Sequence, residues 1–317
     1  MEGSTTPLPP ERLLSLSGLY HPLGYPVSVV TNCAAVLEAA EESWGAFQKL
    51  FSGDPIELRI VVDDGAINAL EAPPEYRARA GVFTIAADAN TATCDLMQGM
   101  GTARFAAATV HDRLHFRYYF LDAMGYALVD ARMFTPVHAG CVALNGRGIL
   151  LCGDSGAGKS SLSYACARKG WTYVSDDASH LIRGQLAVVG FPHELRLREP
   201  ARDLFPELRD RKATRRATGK MSIEIRTAEL PGIQTAPQAD IWRVVFLDRR
   251  MGPARLRPYS REEGFRRMAQ VLTFAEGDFL EAHLAALRKL LTIEVLELSY
   301  NDLDAAVIEL LSLVGRD

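Results

Sequence analysis

Residues Gly153-Asp154-Ser155-Gly156-Ala157-Gly158-Lys159-Ser160 fit the spacing G-x-x-x-x-G-K-[ST], whose chemistry is the holding of a polyphosphate. Glycines let the backbone wrap the phosphates with several N–H groups pointing inward, and the helix that follows adds its positive dipole end. Lys159 has the reach for β and γ phosphates. Ser160, followed by Ser161, offers a hydroxyl to Mg²⁺. Downstream stand two adjacent carboxylates, Asp176 and Asp177. In an extended chain they point to opposite sides, so one can face Mg²⁺ and the other an acceptor hydroxyl. A metal bridging the phosphates and a carboxylate taking the nucleophile's proton are what phosphoryl transfer needs. A solvated turn is the competing role for the pair.

The elements that must position these groups are readable around them. Ile149 to Cys152 form an apolar strand, and Leu162, Ala165 and Cys166 recur at helical spacing until Gly170 supplies a stop. Before the strand, Val-Ala-Leu, Asn145-Gly146 and Gly-Ile-Leu-Leu-Cys predict a hairpin that delivers the chain into the loop. His138 stands just ahead of that hairpin, where its ring can orient a carboxylate; alone it would be a structural histidine. After the loop helix come a strand (Thr-Tyr-Val-Ser), the acid pair, a hairpin turning near Arg183-Gly184 and a strand ending at Phe191-Pro192. Alternation then puts Glu194, Arg196 and Arg198 on one strand face, a metal carboxylate beside guanidinium groups suited to phosphate oxygens, or else an exposed salt-bridged strand. From Ala201 to Lys220 a basic stretch without apolar periodicity predicts a mobile segment, whose Lys220 could reach a nucleotide. The close is a strand (Trp-Arg-Val-Val-Phe-Leu-Asp), helices near 260–271 and 277–291, a strand and a helix from about Asp302 to Val314 capped by Asn301.

The first half offers no comparable chemistry. Short β-rich runs alternate with a helix from Ala34 to Phe47, whose Val36, Ala39, Ala40 and Trp44 mark one face, and a helix from His115 to Arg132 leads to Thr135-Pro136. We therefore expect two domains, a smaller α+β module over 1–134, regulatory or acceptor-binding, and an α/β phosphate-loop domain over 135–317.

With 317 residues, 48% hydrophobic and 23% charged, each domain can bury its own core. A net charge of -4 gives no sign of nucleic acid. The acid and prolines of the first residues do not resemble a signal peptide and no run reaches membrane-span length, so a cytoplasmic protein is expected. Five cysteines without a C-x-x-C pair predict buried free thiols. Homo-oligomerisation is left open.

The segment from His138 to Asp177, HAGCVALNGRGILLCGDSGAGKSSLSYACARKGWTYVSDD, resembles the core of the HPr kinase/phosphorylase family, in which a histidine, a GDSGxGKS loop and an Asp-Asp pair recur in this order. The resemblance runs to about residue 198. It implies a kinase domain with a mixed sheet, of the phosphoenolpyruvate-carboxykinase-like type, and ATP- and Mg²⁺-dependent phosphorylation of a serine hydroxyl. By that resemblance Lys159 and the loop amides hold phosphates, Ser160 and Asp177 hold Mg²⁺, Asp176 accepts the proton with help from His138, Glu194 is a second metal ligand, and Arg196 matches a family arginine. The family continues with a glycine-rich signature that Leu197-Arg198-Glu199-Pro200 breaks here, so phosphorolysis is not expected. The acceptor expected is a serine of a protein or precursor peptide. A nucleotide-binding regulatory module and a small-metabolite kinase are the alternatives. A GTPase is disfavoured, because no [NT]-K-x-D follows the loop.

Overall fold

Alternation of buried and exposed residues builds the first unit as one sheet. The computed structural model describes residues 14–63 and 73–315, and the chain separates into Met1–Arg132 with Phe274–Phe279, and Met133–Thr273 with Leu280–Asp317. The first unit holds β1 (Leu16–Tyr20), β2 (Val27–Thr31), β3 (Ile56–Asp63), β4 (Glu75–Arg79), β5 (Val82–Ala87), β6 (Asn90–Asp95) and β7 (Met100–Ala106), in the order β1-β2-β3-β7-β6-β5-β4. Helix α1 (Ala34–Trp44) buries Val36, Ala39, Ala40 and Trp44, the face expected from their spacing. The Trp44 indole donates to Asp122 at 3.0 Å.

The following helical stretch begins at Ala107, not at His115. It comprises α2 (Ala107–His111), α3 (Arg113–Phe116), a π turn (Arg117–Leu121) and α4 (Asp122–Met133). Thr109 and Val110 are poor helix formers, but both are fully buried, and packing overrides their propensity.

The second unit begins with β8 (Phe134–Val137), β9 (Ala139–Leu144) and β10 (Arg147–Cys152). Asn145 and Gly146 both take positive φ, 52° and 77°, as a two-residue hairpin turn requires. The chain then runs through α5 (Lys159–Arg168), β11 (Thr172–Ser175), β12 (Ser179–Ile182), β13 (Ala187–Val189), β14 (Glu194–Leu197), α6 (Ala201–Leu204), β15 (Thr214–Arg215), β16 (Met221–Arg226), β17 (Gln234–Thr235) and β18 (Gln238–Arg249). It ends with β19 (Arg255–Pro258), α7 (Arg261–Ala269), α8 (Gly277–Leu290), β20 (Glu294–Tyr300) and α9 (Leu303–Gly315). The main sheet is mixed: β10 lies between antiparallel β9 and parallel β18, which also pairs in parallel with β20. A small sheet, β14-β16-β15, stands apart from it. Leu151, Leu162, Cys166, Trp171, Val245, Leu298 and Leu310 are buried in one apolar cluster, so the loop between β10 and α5 sits on a packed base.

Three sequence expectations change here. Strand β13 stops at Val189, short of Phe191-Pro192, because the chain leaves for the small sheet. Helix α9 is capped by Asp302, whose Oδ1 accepts from the Ala305 amide at 2.8 Å, and not by Asn301. The basic segment from Ala201 to Lys220 is folded around ion pairs with acids outside it: Arg202 with Glu199, Arg211 with Glu229 and Arg216 with Glu224. All five cysteines are free and four are buried. Among the described residues no helix is long and apolar enough to cross a membrane.

Candidate active site

The phosphate loop is held in shape by contacts that its own sequence does not announce. Gly158 takes φ +97° as the residue before α5, and a side chain there would collide with the Tyr300 hydroxyl. That hydroxyl, at the end of β20, donates to the Ala157 carbonyl at 2.9 Å. Two guanidinium groups grip the other half of the loop. Arg198 donates to Ser155 Oγ at 2.8 Å, and Arg267 of α7 pairs with Asp154 at 3.0 Å. The loop is thereby tethered by residues from the β14 edge, α7 and β20.

Lys159 is 4% exposed, and its ammonium lies in the hollow of the loop. It donates to the carbonyls of Gly153 and Asp154 at 2.9 and 3.3 Å and stands 3.2 Å from Asp177 Oδ1. His138 Nε2 is 2.8 Å from the same Asp177 oxygen. Burial alone would raise the Asp177 carboxyl, but the His138 hydrogen bond and the Lys159 charge outweigh it and hold it at about 2. The side chains of Asp177 and His138 remain 55% and 41% exposed, so both are open to solvent.

Asp176 and Asp177 stand in the bend that follows β11, not in the strand itself, and Asp176 is buried where Asp177 is exposed. Asp176 is 6% exposed, accepts from the Arg196 amide at 3.1 Å and shares a side-chain hydrogen bond with Ser160. Burial and the neighbouring Asp177 charge push its carboxyl up to about 6, against the opposing pull of Arg196 and Ser160. A close backbone approach sets this position. A side chain at Gly140 of β9 would lie 2.8 Å from the Asp176 carbonyl.

The side chains expected at the site thus fall into two groups. Lys159, Asp177 and His138 meet at the loop mouth; Ser160 and Asp176 meet behind it, with Ser161 next on α5. This pairing departs from the sequence expectation, which joined Ser160 to Asp177 and His138 to Asp176. Glu194, expected to bind metal, makes a two-point ion pair with Arg196 at 2.9 and 2.8 Å. Lys220 sits exposed beside the β15–β16 turn, and among the described residues no hydrogen bond joins it to the loop. No cluster of three or more His, Cys, Asp or Glu is placed to hold a metal among the described residues. A hydroxyl beside a carboxylate, Ser160 with Asp176, is however an all-oxygen donor set of the kind that holds Mg²⁺ when phosphates complete the shell.

No protein family and no curated protein matches this chain. Among solved structures, the HPr(Ser) kinase/phosphatase from Coxiella burnetii is similar over 57% of this chain and 96% of its own, at 17% identity and a TM-score of 0.32. The functional reading rests on the side chains themselves.

Tyr300 and Arg267 escaped the sequence reading. Neither lies near the motif in the chain, and each looks locally like an ordinary strand end or a solvated helix residue. Arg198 was legible on the Glu194 face, but its partner Ser155 was not.

Proposed function

We propose that the protein is an ATP- and Mg²⁺-dependent kinase that moves the γ phosphate to a hydroxyl, with a seryl side chain of a protein or peptide as acceptor. The observation that carries this is the convergence of Lys159, Asp177 and His138 at the open mouth of a phosphate loop. A nucleotide-binding module needs only the lysine. An exposed carboxylate oriented by an imidazole beside it is what a proton acceptor requires. The order of His138, loop and Asp176-Asp177, which resembles the HPr kinase/phosphorylase family, supports the same reading.

The geometry favours a division of roles opposite to the one implied by that resemblance. A base must touch the acceptor oxygen, and Asp176 is sealed behind the loop whereas Asp177 is exposed. Asp177 therefore takes the acceptor's proton as its oxygen bonds to the γ phosphorus and the bond to the β-γ bridging oxygen breaks. His138 orients the Asp177 carboxylate. Lys159, now turned on the loop carbonyls and Asp177, moves its charge to the β and γ phosphate oxygens, which relieves the depression of Asp177 and makes it a better base. Ser160 and Asp176 are the residues that would hold Mg²⁺, which when bound neutralises the charge gathering on the phosphates. Backbone amides of 154–160 supply the remaining hydrogen bonds.

The test is incubation with γ-phosphate-labelled ATP, Mg²⁺ and a library of serine peptides, with phosphoserine read by mass spectrometry. Label should appear with the wild type and vanish with Lys159→Ala and with Asp177→Asn. Labelling that persists in Lys159→Ala would remove the loop from the reaction.

A further inference from the structure

The phosphate loop has a second flank, away from the acid pair. There the loop, the ends of β18 and β20 and helix α7 enclose a cleft of about 530 Å³, within the range of small-molecule sites. Asp154 and Ala157 of the loop, Arg249 and Glu297 of the strands, and Arg266 and Arg267 of α7 line it. We propose that this cleft receives the nucleoside end of the nucleotide. The proposal rests on the kinase reading above, and it names where that reading's donor is recognised.

Direction comes first. Lys159 and the two carboxylates place the γ end of a triphosphate toward β11, on the β9 side of β10. A chain of three phosphates held by the loop must leave by the opposite side, and there β18 and then β20 follow β10 in the sheet. The cleft opens at that exit. Its chemistry suits a ribose and a base. Carboxylates accept from vicinal hydroxyls, and planar guanidinium groups stack on a heteroaromatic ring or donate to its nitrogens.

The charges are also arranged for this rather than for further phosphate. Arg267 is committed to Asp154, Arg266 to Glu263, and Glu297 to Arg250. The lining acids Asp154, Asp248, Glu263 and Glu297 are not outnumbered by Arg249, Arg266 and Arg267, so no concentrated positive field remains to draw a second polyanion. Arg249 has no ion-pair partner among the described residues and is exposed where it lines the cleft, free to lie against a base.

The test compares Mg²⁺-ATP with Mg²⁺-tripolyphosphate, which has the phosphates and no nucleoside, by isothermal titration. The wild type should bind ATP more tightly than tripolyphosphate. Arg249→Ala with Glu297→Ala should weaken ATP about tenfold or more, the worth of one hydrogen bond to a charged group, and leave tripolyphosphate within about twofold. Gln270→Trp, which adds bulk to the cleft from the residue that caps α7, should do the same. Equal loss for the two ligands, or unchanged ATP affinity in both variants, overturns the nucleoside site while leaving the phosphate loop standing. If the wild type binds neither ligand, the loop reading itself fails and the site falls with it.

Discussion

The buried carboxyl of Asp176 makes a measurable demand on folding, and replacing it with asparagine should remove that demand. Its value rises from the ordinary 3.8 to about 6 in the folded protein, chiefly through burial and then through Asp177. Between those two values the folded state binds more protons than the unfolded chain, so stability falls as pH rises through the window and stays low above it. At about 1.4 kcal/mol per pH unit, the full deficit is about 3 kcal/mol at neutral pH relative to pH below 4. Asp177 acts with the opposite sign. Its value is depressed to about 2, so it contributes stability above the ordinary 3.8 that is lost only as pH falls toward 2. A comparison at about pH 4.5 and 7.5 therefore isolates much of the Asp176 effect. Asp176→Asn keeps the shape and can still meet the Arg196 amide and Ser160, but it cannot ionise. Urea unfolding of wild type and variant in EDTA should show the wild type losing about 2 kcal/mol more than the variant between the two pH values. Identical pH slopes would refute the picture of a charge held in a dry pocket behind the loop.

Other substitutions probe the rest of the site. Lys159→Ala should leave the fold intact and lower phosphoryl transfer by orders of magnitude, checked by steady-state turnover beside circular dichroism. Tyr300→Phe loses the hydrogen bond to Ala157 and should cost about 1 kcal/mol of stability, with a few-fold weaker binding of tripolyphosphate by isothermal titration. Gly140→Ala forces β9 away from the Asp176 carbonyl; a loss of about 1–3 kcal/mol in urea unfolding is expected. Mixing phosphorylated acceptor with excess inorganic phosphate should release little pyrophosphate, because Pro200 and the charged run Arg196–Glu199 do not shape a pocket for a free phosphate nucleophile.

The turn from β10 into α5 was legible because its signal is contiguous: glycines, lysine and serine at fixed spacing between a strand and a helix. Alternation likewise predicted that Asp176 and Asp177 would face apart, and that Glu194, Arg196 and Arg198 would share a face. It could not say which aspartate would be sealed, because that depends on β9 passing over Asp176 at Gly140, a contact between distant segments. The same limit hid the loop's tethers, since Tyr300 and Arg267 reach it only through the pairing of β18 with β20 and the placement of α7. The basic segment misled for a related reason. Its partners Glu224 and Glu229 lie downstream of it, and only the fold of β16 and the turn after it brings them back. In the first unit, burial of Thr109 and Val110 drew into a helix residues whose intrinsic preference is weak.

The central claim is that Asp177 serves the acceptor and Asp176 the metal, and titration of ATP with and without Mg²⁺ into Asp176→Asn and Asp177→Asn tests it most directly. The structure predicts that Asp177→Asn keeps Mg²⁺-enhanced ATP binding within a few-fold of wild type while transfer to an acceptor is abolished, and that Asp176→Asn loses the Mg²⁺ enhancement. The reverse pattern, with Mg²⁺ enhancement lost in Asp177→Asn and retained in Asp176→Asn, would contradict it.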